Sequence, residues 1–171
     1  WSADVLFLQE NATCGSRYAL VMRDCCTGFY VCSYSPTKDF GSHLIQIIDR
    51  MRAKSYYQAF PYELFQEIRT DMDGSWAFEA TTKAALVKRG VTLILASPSS
   101  TDDSRASAFA EAAVKFIAHT CKMILYQQRL PTSMWRLAFE QAVQLRNLFP
   151  LHKHTTHCYS GDAIRPLEQL T

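Results

Sequence analysis

The hydrophobic period of this chain changes once, just past residue 40, and that change removes most folds from consideration. Upstream lie three short runs suited to strands. DVLFL (Asp4–Leu8) is continuous and apolar, the pattern of a strand buried on both faces. RYALVMR (Arg17–Arg23) and FYVCSYS (Phe29–Ser35) follow, joined by a turn through Cys25-Cys26-Thr27-Gly28. Connections this short link antiparallel neighbours. Downstream, Leu44, Ile47, Ile48 and Met51 recur at helical spacing, predicting an amphipathic helix from near Ser42. LFQEIRT (Leu64–Thr70) returns to strand, and FEATTKAALVKRG is a helix closed by Gly90 with Lys88 and Arg89 in its last turn. VTLILAS (Val91–Ser97) is a buried strand, followed by a polar loop over Pro98–Arg105. The longest helix spans Arg105–Gln127. Pro131 and Ser133 open a last one that runs through Asn147 and stops at Pro150. The order β-β-β-α-β-α-β-α-α predicts an α/β domain. Its mixed sheet has five strands, three antiparallel and then two parallel, with helices on its faces.

Composition narrows the function classes. A chain of 171 residues with 48% apolar residues can bury a sizeable core as one domain. Residues 1–150 carry the periodic pattern, and 151–171 form a polar, weakly periodic tail. Charged residues at 20% are slightly few for a fully solvated surface, and the first residue is not Met, which together suggest a piece of a longer product. The formal charge of +2 excludes a strong overall basic field, so any nucleic-acid contact must come from a local patch. No apolar run approaches a membrane span, and no secretory leader opens the chain. Six cysteines show no CxxC and no disulfide-scaffold spacing; Cys32 and Cys121 fall in apolar segments, as reduced core thiols would in an intracellular protein.

Three acids fall where such a sheet brings strand ends and helices together. Asp4 opens the first strand, Asp71 ends the fourth, and Glu111 lies in the first turns of the long helix. Two Mg²⁺ ions about 3.5–4 Å apart, held by such carboxylates, suit phosphoryl transfer, because Mg²⁺ takes hard oxygen ligands. The alternative is that these are three of sixteen acids solvating a surface.

Lys115, four residues after Glu111, shares its helix face, and Ala118 and Lys122 continue it; Phe109, Ala113, Phe116, Ile117 and Thr120 form the opposite, core-facing stripe. Asp24 suits turn capping. Asp102 and Asp103 suit the loop or the helix N-terminus. Tyr56, Tyr57, Phe60, Tyr62 and Phe65 fit either base stacking or packing in a core or interface. His152, His154, His157 and Cys158 are zinc-ligand types, but their spacing matches no finger.

In order and spacing, several of these segments resemble the integrase catalytic core of copia-type retrotransposons and retroviruses. DVLFLQENATCGSRYALVMRDCCTGFYVCSYSP is similar to its opening hairpin region, and IRTDMDGSWAF to its second-aspartate motif. VTLILASPSS followed by AFAEAAVKF is similar to the approach to its glutamate. LPTSMWRLAFEQAVQLRNLFP is similar to the copia-type helix with a Trp, and an Asn shortly before Pro. The resemblance covers residues 3–150 and implies a ribonuclease H-like fold. It further implies a catalytic triad of Asp4, Asp71 and Glu111 holding two Mg²⁺, with Mn²⁺ as a substitute. Lys115 and Lys122 would contact DNA. The implied activity is 3′-end processing and strand transfer of retroelement DNA in the nucleus. The implied partners are element ends, target DNA, further copies of the chain and other polyprotein domains, with no membrane.

Two places depart from the family pattern. Asp71-Met72-Asp73-Gly74 is one residue longer than usual, which makes Asp73 either a substitute ligand in a shifted register or the mark of a site that has drifted. The segment around Glu111 lacks the family's Gly, amides and following Arg. A decayed or domesticated core acting as a protein-interaction scaffold is therefore the alternative expectation.

Overall fold

The computed structural model describes residues 1–25, 28–53, 65–71, 80–96 and 101–148. Five strands form one sheet: β1 (Ser2–Phe7), β2 (Tyr18–Arg23), β3 (Tyr30–Ser35), β4 (Glu67–Asp71) and β5 (Thr92–Ala96). Their order across the sheet is β3-β2-β1-β4-β5. The β1–β2 and β2–β3 pairs are antiparallel, whereas β1–β4 and β4–β5 are parallel. The helices are α1 (Gly41–Ala53), α2 (Ala80–Val87), α3 (Thr101–Gln127) and α4 (Trp135–Leu148), the last preceded by a 3₁₀ turn over Thr132–Met134. The α/β mixed sheet expected from the sequence is present.

The alternation of side chains along the strands builds two cores. On one face, Ala3, Leu20, Met22 and Ile68 pack under Phe40, Leu44, Ile48 and Met51 around α1, with Leu86 of α2. On the other, Ala19 and Val21 pack under Ala113, Val114, Ile117 and Cys121 of α3 and Trp135, Phe139 and Val143 of α4. Among the described residues no helix is long and apolar enough to cross a membrane.

Several boundaries and faces differ from the sequence reading. β4 begins at Glu67 rather than Leu64. Phe65 adopts φ 60°, a left-handed conformation that cannot continue a strand, and its ring is buried and stacked on Trp1 at 4.4 Å. Phe65 is thus a core residue; Tyr56, Tyr57, Phe60 and Tyr62 lie outside the described residues. The long helix starts at Thr101, not Arg105, so Asp102 and Asp103 stand in its first turn, where acids complement the helix dipole. Phe116 is not a core residue: it is 46% exposed, and the buried stripe of α3 runs through Ala110, Ala113, Val114, Ile117, Cys121 and Ile124. The sheet takes the smaller residues of the helix because α3 lies directly on it, and Phe116 sits instead under the Arg146 guanidinium, 4.9 Å from its ring centre.

Candidate functional site

The register between β1 and β4 positions the acids. Ser2 stands opposite Arg69 and Ala3 opposite Thr70, in parallel. The pairing ends there; continued by one residue, the same register would bring Asp4 level with Asp71, the last residue of β4. Asp4 also stands opposite Val21, whose side chain belongs to the core beneath α3 and α4. Asp4 therefore lies on the α3 face of the sheet, half-buried, and its Oδ1 accepts the Val5 amide at 2.7 Å. The side chain of Asp71 lies outside the described atoms, as does Asp73. Among the described side chains alone, no group of three His, Cys, Asp or Glu residues forms a metal site.

Glu111 lies on α3. α3 packs across β1, β2, β4 and β5. At about 100° per residue, Glu111, Lys115, Ala118 and Lys122 fall on one flank of the buried stripe. Ala118 and Lys122 line a cavity of about 540 Å³ with Leu6, Phe7 and Leu8, so this flank faces the downstream end of the strand that carries Asp4. Glu111 is 61% exposed and pairs with Lys115, Nζ to Oε1 at 2.5 Å. The expected sharing of a face by these two residues is therefore realised as an ion pair. Lys122 is exposed at the cavity mouth.

Other sequence candidates resolve into structural roles. Asp24 is buried just beyond β2; its amide donates to the Phe29 carbonyl and its carbonyl accepts from Gly28, each at 2.8 Å, closing the turn. Gly90, at φ 67°, closes α2: its amide reaches the Val87 carbonyl and the Val91 amide reaches Leu86. His152, His154, His157 and Cys158 lie outside the described residues.

Sequence reasoning passed over one reactive group. Cys14, exposed in the loop after β1, contacts Ser16 Oγ at 3.3 Å and accepts from Arg136 Nη1 at 3.2 Å. The Ser16 hydroxyl, then the guanidinium, stabilise the thiolate and bring the Cys14 pKa down to about 7. No local motif could reveal this, because Arg136 is 122 positions away. Cys32 and Cys121 behave as expected: burial pushes both thiols up, Cys121 to about 11.

No protein-family model matches this sequence, and no curated protein matches it.

Proposed function

We propose that this chain is an integrase-type polynucleotidyl transferase core with a ribonuclease H-like fold, acting on the DNA of a retroelement. The observation that supports the reading is the parallel β1–β4 pairing, Ser2 with Arg69 and Ala3 with Thr70, which ends one residue before Asp4 and Asp71, on a sheet across which the Glu111 helix packs. The strand order and the antiparallel-then-parallel arrangement agree with the fold implied by the sequence resemblance.

The donor set fits Mg²⁺: the candidate ligands are carboxylates, and three of them held close would repel one another without a cation. Asp4, Asp71 and Glu111 would hold two ions, with Mn²⁺ as a substitute and Asp73 as an alternative ligand. The ions would supply Lewis-acid stabilisation of the attacking and leaving oxygens. The chain's own contribution is positional. On this reading β1 and β4 would each contribute one carboxylate, and α3 the third. Lys115 and Lys122 contact the DNA backbone, Lys115 exchanging Glu111 for a phosphate oxygen. A near-neutral chain leaves much of the DNA affinity to other domains of a polyprotein, to further copies of the chain, and to its nuclear setting.

The test is a strand-transfer or disintegration assay in Mg²⁺, with flanking domains restored, comparing wild type with Asp4→Asn and Glu111→Gln. Both variants are expected to lose product formation while keeping the wild-type melting temperature. Joining by Glu111→Gln at the wild-type rate removes Glu111 from the mechanism.

A second reading is favoured by the Glu111–Lys115 pair, in which a proposed metal ligand and a proposed DNA contact neutralise each other. On that reading the chain is an integrase-derived scaffold for protein association, and wild type itself joins no DNA in the same assay.

A further inference from the structure

Beyond Glu111, the outer face of α3 carries a row that includes Lys115 and Lys122 and continues past them. Lys115, His119, Lys122, Tyr126 and Arg129 follow one another at spacings of four, three, four and three. At about 100° per residue the first four share one face of the helix, and Arg129 follows just past its C-terminal end. From Lys115 to Tyr126 the row extends about 16 Å at 1.5 Å per residue, and no acid occurs between Ala112 and Leu130. All five residues are exposed or half-exposed, and Tyr126 is 83% exposed.

Two features separate this row from an ordinary solvated helix face. Tyr126 stands between two cations: Lys122, Tyr126 and Arg129 line a cavity of about 490 Å³ floored by Leu125 and Leu130. Lys122 also lines the adjoining cavity of about 540 Å³, whose wall includes Phe7, 48% exposed beneath the Arg17 guanidinium at 4.9 Å. Glu10 is the acid among that cavity's lining residues, and its carboxylate accepts the Thr132 hydroxyl.

The second feature is Arg129 itself. α2 and α3 end in the same hydrogen-bond motif. In α3 the Arg129 amide reaches the Tyr126 carbonyl at 3.2 Å and the Leu130 amide reaches Leu125 at 2.9 Å. The left-handed position of this motif is Gly90 in α2, at φ 67°, but Arg129 in α3, at φ 51°. A side chain there is strained where glycine is not. The strained position carries the arginine that lines this cavity with Lys122 and Tyr126.

We propose that this row binds an unpaired nucleic-acid strand, with Lys115, Lys122 and Arg129 on phosphates spaced along it and a base stacked on Tyr126. Alternating cations and an exposed aromatic ring provide both components of single-strand recognition. The row extends the DNA-contacting role proposed above for Lys115 and Lys122, but its binding does not require catalysis.

The test is fluorescence anisotropy with a labelled twelve-residue oligothymidylate and a blunt duplex of the same length, across a salt series. The single strand is expected to bind more tightly, with log affinity falling by about 0.7 per phosphate contact per decade of salt. Lys122→Ala with Arg129→Ala reduces that slope by about 1.4. Tyr126→Ala weakens the single strand about tenfold and leaves duplex binding within about twofold. Arg129→Gly weakens binding while raising the melting temperature by about 2–4 °C, a combination that a purely structural arginine would not give. Affinity unchanged in all these variants overturns the proposal, as does salt-independent binding. Competition by polyglutamate with no effect of Tyr126→Ala assigns the row to an acidic protein partner and also overturns it. Strand binding by a chain that joins no DNA ends sinks the catalytic reading and leaves this one standing.

Discussion

Cys14 shows how a single side chain acquires its chemistry from a distant element. Thiolate, not thiol, is the nucleophile, so its alkylation rate should rise with pH and reach half its maximum near the depressed pKa of about 7. Peptide-level mass spectrometry after iodoacetamide treatment across pH checks this. In Ser16→Ala with Arg136→Ala the midpoint should move towards 9.0, the ordinary thiol value. A midpoint unmoved by the double substitution would mean that the two contacts do not stabilise the thiolate. Cys121, buried and with its pKa pushed to about 11, should stay unmodified over the same range.

Between elements, the main clasp at the sheet edge is Asn147. β3 is an outer strand, and an uncovered edge offers unpaired backbone groups to other chains. Asn147, near the end of α4, occupies two of these groups: its Oδ1 accepts the Tyr30 amide at 2.8 Å and its Nδ2 donates to the Tyr30 carbonyl at 3.0 Å. Asn147→Ala should therefore cost about 2 kcal/mol, since it strands a buried donor and acceptor. Urea unfolding should show a lower midpoint with an unchanged slope. Asn147→Leu, which restores bulk but no hydrogen bonds, should not recover the loss. The residue was visible beforehand only as an Asn before a Pro; its role depends on a strand 117 positions earlier.

For the molecule as a whole, stability rests on two cores that share one sheet. Phe139 is fully buried and meets Tyr34 and Trp135 edge-on, with ring centres 6.0 and 6.3 Å away. Phe139→Ala should cost about 3–5 kcal/mol, a large part of the stability of a domain this size. Leu137→Ala, on the same helix but 55% exposed, should change stability by less than about 0.5 kcal/mol in the same thermal or urea measurement.

The order of elements, the two-plus-three division of the sheet and the type of nearly every segment were legible in the sequence, because local periodicity reports which face of an element is buried. So were the acids as candidates, since Asp4 and Asp71 stand at strand positions in any α/β reading. Periodicity alone could not show that Phe116 faces water while Ala110 and Val114 face the sheet; the closeness of α3 to the strands decides that. Nor could it show that Thr101 already begins the helix, because a run of Thr, Asp and Ser suits a loop and a helix N-terminus equally. Pairing between segments is a long-range property. The pairing of Ala3 with Thr70 joins strand residues 67 positions apart in the chain, as the Cys14–Arg136 contact joins residues 122 apart. By itself the sequence determined which residues could form strands, helices and a site; tertiary structure alone decided which of them meet, because strand register and helix packing are set by the whole core rather than by any one segment.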